Sequence, residues 1–377
     1  MLPSFLFAPS NALVFSISFA VNAALIAASL LIHPKSRCAG DRVAIQSAHS
    51  RATPRTGGIG IVAAILVALL FLIPQGTHYK PALFCLSLLP VFLAGLAEDF
   101  GYNFSPRRRL LAAAMSSVLA IILLQMWIPR ADVPGLDHLI GFAPFGIALT
   151  IFATAGICNA FNLIDGLNGL SSITGLMTAI GISAIAYGAD DERLAAAAFL
   201  MVPAIMGFVV FNYPFGRIFL GDAGAYSIGH ILSWFAIALI LRSAEVSAVA
   251  VLLVFFWPTA DTILSIYRRK RSGKPTAQPD RLHFHQLVMR AIEIKILGRK
   301  NRHFANPLAT LIMLPFIAAP IATGVILWNQ PLLSLLALVV FGVAFVASYL
   351  IGMRLAAVGR RKAPTLPALV AIEALMK

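Results

Sequence analysis

The residues able to do chemistry in this 377-residue chain fall into five short clusters. The sharpest reads Arg217-Ile218-Phe219-Leu220-Gly221-Asp222-Ala223-Gly224-Ala225. Asp222, between two glycines at the start of an apolar run, suits two tasks. It can cap a helix N-terminus, or it can hold a hard cation such as Mg2+ while that N-terminus and Arg217 face phosphate oxygens. A second cluster, Asn159-Ala160-Phe161-Asn162-Leu163-Ile164-Asp165-Gly166-Leu167-Asn168-Gly169-Leu170, offers Asn159, Asn162 and Asp165 on a backbone that can approach a ligand closely. A helix-connecting turn would use the same residue types. In the third, the adjacent carboxylates Glu98 and Asp99 repel each other unless a cation or an Arg stands by, and Ser105-Pro106-Arg107-Arg108-Arg109 follows directly, which favours anion handling.

The last two clusters are His49-Ser50-Arg51-Ala52-Thr53-Pro54-Arg55-Thr56-Gly57-Gly58 and Asp280-Arg281-Leu282-His283-Phe284-His285-Gln286. His283 and His285 share a direction only in an extended segment, which disfavours a helical metal pair. Taken singly, each of these loops also reads as solvated polar chain. Asp261, in Trp257-Pro258-Thr259-Ala260-Asp261, follows a Pro that can kink its helix. Both site lining and helix-helix hydrogen bonding are open to it.

These clusters must be positioned by membrane helices. With 59% hydrophobic and 12% charged residues and a mean hydropathy of +0.87, the chain has too little polar surface to cover a soluble globule. A crossing helix needs roughly 20 apolar residues. Eleven stretches of about that length are expected, near 11–32, 57–75, 81–97, 110–128, 140–158, 170–187, 194–213, 223–241, 246–266, 307–328 and 331–353. The expected fold is therefore all-α: one integral, polytopic helix bundle of about eleven spans. The first stretch has no Lys or Arg before Lys35 and is longer than the core of a secretory signal, so it reads as a retained span. Cys38, Cys85 and Cys158 have no ligand spacing, which argues against disulfide and zinc frameworks.

The net charge of +14 does not point to nucleic acid, because the basic residues are segregated by loop. Counting from an outside N-terminus, all but Lys80, Arg130, Arg193 and Arg242 of the 29 Lys and Arg fall on one side, which the positive-inside rule makes cytoplasmic. The C-terminal tail with Arg354, Arg360, Arg361 and Lys362 is then inside too. The Arg268-Arg269-Lys270-Arg271 run and this tail read as topogenic signal and attraction to anionic membrane lipids. Asp190, Asp191 and Glu192, in an outside loop, read as solvated. The inside loops 33–56, 98–109, 159–169, 214–222 and 267–306 each carry one of the five clusters, so the active site is expected to face the cytoplasm at a bacterial inner membrane.

In their order and topology the five clusters resemble the polyprenyl-phosphate N-acetylhexosamine-1-phosphate transferases, glycosyl transferase family 4, over almost the whole stretch from Asp41 to His285. The resemblance implies transfer of a sugar 1-phosphate from a UDP-N-acetylhexosamine to undecaprenyl phosphate, giving a diphosphate-linked lipid and UMP. Mg2+ is the implied cofactor, with Mn2+ as a substitute, and a homodimer is an open assembly state. Carried over motif by motif, Asp222 resembles the Mg2+ ligand with Asn162 its companion. Asp99 matches the second member of an acidic pair proposed as base or nucleophile, beside Glu98. Phe219 matches a position that stacks on uracil, and Asp165 lies in the nucleotide element with Asn159 nearby. His283 and His285 match a motif near the diphosphate, and Arg55, Arg109 and Arg217 supply positive charge to it.

Several residues depart from the family pattern. Glu98 replaces the first Asp of the usual pair, Arg109 stands where Lys is common, and Gln46 and Ser47 replace a basic pair. Ala225 replaces a Ser, and His285-Gln286 shortens the His motif; the lack of a three-His run favours the O-antigen or capsule-initiating branch. A secondary transporter or flippase is the alternative, although transporters place ionisable groups at the midplane. The CDP-alcohol phosphotransferases need an AR pair after DG, where this chain has Leu167-Asn168. Asp222→Ala and Asp99→Asn are expected to abolish turnover while folding survives, on the premise that both positions lie in loops.

Overall fold

A computed structural model describes residues 3–32, 53–72, 79–273, 282–298 and 301–361. All regular structure among them is helical. The main helices are α1 (Pro9–Ile32), α2 (Gly57–Val67), α3 (Tyr79–Asp99), α4 (Pro106–Leu124), the short α5 (Leu136–Ile140) and α6 (Ala143–Leu163). They continue with α7 (Leu170–Gly188), α8 (Glu192–Phe199), α9 (Met201–Asn212), α10 (Gly221–Arg242) and α11 (Ala248–Val254). The chain closes with α12 (Phe256–Arg271), α13 (Phe284–Ile292), α14 (Arg302–Ile326) and α15 (Pro331–Arg361). Lys35, Cys38, Asp41, Gln46, Ser47, His49, Asp280 and Arg281 lie outside the described residues.

Helix occurs in each of the eleven expected stretches, but among the described residues eight helical stretches are long and apolar enough to cross a membrane, or nine if the bent α11–α12 pair is one span. Two stretches fall short for identifiable reasons. Gly57–Leu72 is short, and α4 opens with Arg107, Arg108 and Arg109 in its first turn. The protein is a multi-pass membrane protein on either count.

Two helix breaks follow from proline. Pro203 cannot donate to the Phe199 carbonyl, and the helical run breaks at Leu200 between α8 and α9. Pro258 cannot donate to Val254, and α11 and α12 meet there at 80°. The released Val254 carbonyl accepts instead from Thr178 Oγ1 at 3.2 Å. The kink expected at Pro258 is thus present, and the freed acceptor is satisfied by a neighbouring helix, as a membrane interior demands.

Helix α10 is the central post. Of its most apolar stretch 89% is buried inside the protein, against 17% for α1 and 11% for α15, which therefore present their flanks to lipid. It packs on α2, α3, α6 and α7 through small residues. A Cβ on Gly58 would lie 2.3 Å from Gly224 Cα, and one on Gly95 would lie 2.5 Å from the Ala223 nitrogen. These contacts bring the cluster residues of α2 and α3 against the start of α10.

At the opposite end the acids are structural. Asp191 accepts from the Leu194 N–H at 3.1 Å, capping α8, and pairs with Arg242 at 2.6 Å, so it is not the solvated residue expected. Arg130 pairs with Asp132 at 2.9 Å and donates to the carbonyls of Ile240, Ser243, Ala244 and Val246, clamping the loop after α10. Arg268, assigned to the topogenic excess, donates to the Leu282 carbonyl at 2.7 Å and stacks on Tyr349.

Candidate functional site

The site is assembled where α10 begins. The stretch before α2 runs beside the stretch before α10: Phe219 N–H donates to Pro54 O at 2.8 Å, Gly57 N–H to Phe219 O at 2.9 Å and Gly58 N–H to Leu220 O at 2.9 Å. This pairing delivers Arg55 to Gly221. Gly221 has φ +75° and a Cβ there would sit 2.2 Å from the Arg55 carbonyl oxygen and 2.5 Å from Asp99 Oδ2, so only glycine fits.

Asp99, the last residue of α3, caps α10 from a different helix. Its Oδ1 accepts from the Asp222 N–H at 2.8 Å and its Oδ2 from the Ala223 N–H at 2.9 Å. A helix N-terminus leaves such amides unpaired and carries partial positive charge, which is why a carboxylate settles there. The side chain is wholly inaccessible, and Arg55 Nε lies 3.7 Å from it. Asp222 is also buried within a helix, at its second residue. The premise that both acids lie in loops is therefore corrected: each ends or begins a packed helix.

The Asp222 carboxylate faces two guanidinium groups, Arg109 Nη1 at 2.6 Å and Arg55 Nη2 at 3.3 Å. Glu98 steadies the first of these at 3.8 Å while its other oxygen accepts from the Phe104 N–H at 2.7 Å. Arg109 Nε is buried without a hydrogen-bond partner. Asp165 completes the acidic set. Burial pushes its carboxyl up to about 7, Arg55 opposes that rise, and Asp222 adds to it. Glu98, Asp99 and Asp222 thus share two guanidinium groups, and a divalent cation beside them would favour the ionised form of Asp165.

Among the described residues no three His, Cys, Asp or Glu side chains form a ready-made metal cage. An Mg2+ ion, which keeps its waters and takes one or two carboxylates plus substrate phosphates, would need only Asp222 of this set. Asn162, in the last turn of α6, accepts the Asp165 N–H through its carbonyl at 3.2 Å. The Asn159 amide instead donates back to Ala155 O at 2.8 Å. Arg217 is exposed and lies over the Phe215 ring at 5.5 Å, away from the carboxylates.

The loop between α6 and α7 is fixed by residues that carry no charge. Asn168 N–H donates to Asn306 Oδ1 at 2.8 Å and its side chain to Pro214 O at 2.8 Å, while Gly169 N–H donates to Asn212 Oδ1 at 2.6 Å. Asn212 donates in turn to Ile218 O at 2.7 Å, tying this loop to the one before α10. Asn212 and Asn306 were not singled out from sequence; their polar side chains next to Tyr213-Pro214 and Pro307, at the ends of apolar runs, are the signal that was there.

The two histidines reach the same loop from the other side. His283 is extended, with ψ 149°, and His285 lies in the first turn of α13. Both rings face one way, stacked with centroids 5.6 Å apart, because the extended step precedes the helix. A Cβ on Gly166 would sit 2.4 Å from His285 Nε2. Both His285 nitrogens are buried without a hydrogen-bond partner, and burial holds the imidazole below its ordinary value.

The relatives of the chain accord with this arrangement. Residues 81–240 match the profile of Glycosyl transferase family 4. The chain is similar to the undecaprenyl-phosphate alpha-N-acetylglucosaminyl 1-phosphate transferase of Yersinia pestis, 30% identical over 264 residues that cover 67% of this chain and 69% of that protein. The protein of the same description from Salmonella typhi is 31% identical over 269 residues, with the same coverage. A probable undecaprenyl-phosphate N-acetylglucosaminyl 1-phosphate transferase of Bacillus subtilis (strain 168) is 26% identical over 257 residues, 66% of this chain and 69% of that one. On this similarity, spanning the carboxylate cluster and the loops around it, the chain belongs to glycosyl transferase family 4.

Proposed function

We propose that the protein transfers an N-acetylhexosamine 1-phosphate, with N-acetylglucosamine 1-phosphate the first candidate, from its UDP-sugar to undecaprenyl phosphate at the cytoplasmic face of a bacterial inner membrane. A phosphate oxygen of the lipid attacks the phosphorus that bears the sugar, the bond to UMP breaks, and the lipid-linked diphosphate sugar that forms starts a cell-surface glycan of the O-antigen or capsule type. The observation that carries this reading is the convergence of Arg55 and Arg109 on Asp222 at the N-terminus of α10. The descriptions of the Yersinia and Salmonella relatives support the acceptor and the transferred group.

Displacement at phosphorus requires charge neutralisation and in-line positioning more than covalent help. Asp222 and Asn162 would hold Mg2+, which would supply charge neutralisation to the displacement. Arg55 and Arg109 orient the phosphoryl oxygens, and Glu98 keeps Arg109 in place. A phosphate monoester, with its second pKa near ~6, is already largely dianionic at pH 7, so no base has to be exposed to it. Asp99, whose two oxygens are both taken by α10 amides, fixes where Asp222 stands. Phe219 stacks on uracil, Asp165 and Asn159 line the nucleotide side, Arg217 guides the anion from outside, and His283 and His285 lie toward the diphosphate. The whole chain acts as one domain with the N-terminus outside, eleven crossings and the C-terminus in the cytoplasm.

The test is to give the purified protein UDP-N-acetylhexosamines, undecaprenyl phosphate and Mg2+. UMP and labelled lipid are expected in equal amounts, with loss of both on chelation. No transfer from any UDP-amino sugar would refute the reading, and substrate counterflow in vesicles without UMP would replace it with a transporter.

A further inference from the structure

Asp261 lies in α12, beyond the bend at Phe255, and is 2% exposed. A carboxylate buried this deeply needs donors, and two groups answer it. His283 Nδ1–H donates to Oδ2 at 3.1 Å and the Phe284 N–H donates to Oδ1 at 3.2 Å. His285 Nδ1 lies 3.8 Å from Oδ2. The Phe284 amide belongs to the first turn of α13, so Asp261 holds the start of that helix as well as the ring beside it.

The consequence reaches the loop that bears Asp165. His283 and His285 are stacked, and the His285 ring abuts Gly166, where no side chain would fit beneath it. Moving the start of α13 would move that ring. A carboxylate at Nδ1 also fixes the imidazole tautomer, leaving the Nε2 lone pair as the ring's free acceptor. Aromatic packing closes the other side of the pair: Trp257 and Phe345 each lie near the Phe284 ring, at 5.1 and 5.2 Å between centroids.

We propose that Asp261 is a positioning residue: its carboxylate sets the His283 tautomer and anchors the start of α13, and so places His285 against the Asp165-Gly166 turn. The inference rests on the reading of His283 and His285 as residues on the nucleotide-sugar side.

The experiment labels the histidines of the full-length protein with 15N in lipid nanodiscs and compares the wild type with Asp261→Asn, which keeps the volume but loses the charge, and Asp261→Glu. The wild-type His283 signal should be that of an Nδ1-protonated ring; Asp261→Asn should shift it and Asp261→Glu should restore part of it. With UDP-N-acetylglucosamine as substrate, kcat/KM should fall about ten- to a hundredfold in Asp261→Asn, the cost typical of losing a carboxylate that orients a functional histidine. In a His283→Gln background the same substitution should add little, because both changes act through one ring. An unchanged tautomer in Asp261→Asn overturns the proposal, as does a changed tautomer with wild-type kcat/KM. Should the wild type transfer no sugar phosphate at all, the transferase reading fails while the histidine signal still decides the role of Asp261.

Discussion

Replacing Asp99 by Asn tests the cap on α10 directly. Asp99 gives the helix two charge-assisted acceptors, at 2.8 and 2.9 Å, from a side chain with no solvent contact. Asn supplies one acceptor and turns an NH2 toward the second amide, so one such bond, worth roughly 1.5–3 kcal/mol, is lost. The surviving bond drops from a charged to a neutral acceptor, a further loss of about 1 kcal/mol. The contact to Arg55 Nε at 3.7 Å weakens too. The cheaper burial of a neutral amide offsets part of this, leaving a net destabilisation of about 2–4 kcal/mol. At about 2 °C per kcal/mol for a chain of this length, the melting midpoint should fall by roughly 4–8 °C. Cys85 and Cys158 are buried, so in a Cys38→Ser background a thiol-reactive dye in detergent reports the transition. Turnover should vanish with it, because Asp222 is the residue whose amide is released. A variant that melts within about 1 °C of wild type would refute the cap and leave Asp99 a chemical role instead.

Three other perturbations probe the same cluster. Without divalent cation, folded Asp165 keeps its proton to about pH 7 whereas the unfolded residue releases it near ~4, so stability is full below that lower value and declines as pH rises through the upper one; Asp165→Asn should flatten this slope, as should saturating Mg2+, in thermal melts across the range. Gly221→Ala should remove activity and lower the melting point, since its Cβ would meet the Arg55 carbonyl and the Asp99 carboxylate; normal turnover in this variant would contradict the described junction. Arg109→Lys gives up the guanidinium whose Nη1 reaches both Asp222 and Glu98, and kcat/KM should fall roughly ten- to a hundredfold, one charge-assisted bond of ~1.5–3 kcal/mol, in the UMP-release assay.

Much of this was legible because long apolar runs and basic loops obey one-dimensional rules. Each of the eleven stretches contains helix, eight or nine of them long and apolar enough among the described residues to cross a membrane, and Pro258 marked a real bend. Asp222 at the start of α10 was readable as a possible cap or ligand, but the cap turned out to be Asp99, 123 residues earlier in sequence. No local pattern announces a carboxylate that caps another helix. The two-fold ambiguity over Asp261 persisted for the same reason: its partners lie 22 and 23 residues later in the chain. Asp191 was a different kind of miss. An Asp just before a helix is a local signal for a cap, and the charge-rich run Asp190-Asp191-Glu192 obscured it. Arg130 clamps four carbonyls more than a hundred residues away, which its isolation in an outside loop did not reveal.

The separation between Asp99 and its partner amides also imposes an order on biosynthesis. At ~5–20 residues per second, a ribosome needs about 6–25 s to add the 123 residues between Asp99 and Asp222. For that interval the nascent chain carries a carboxylate at the end of α3 with no helix to cap, and Arg55 lacks Asp222. Asp261, His283 and the start of α13 follow only after α10 and the bend have been made. Activity is therefore a late property of the newly inserted chain, acquired when the central helix docks, and truncation before α10 would leave an inserted protein with no site at all.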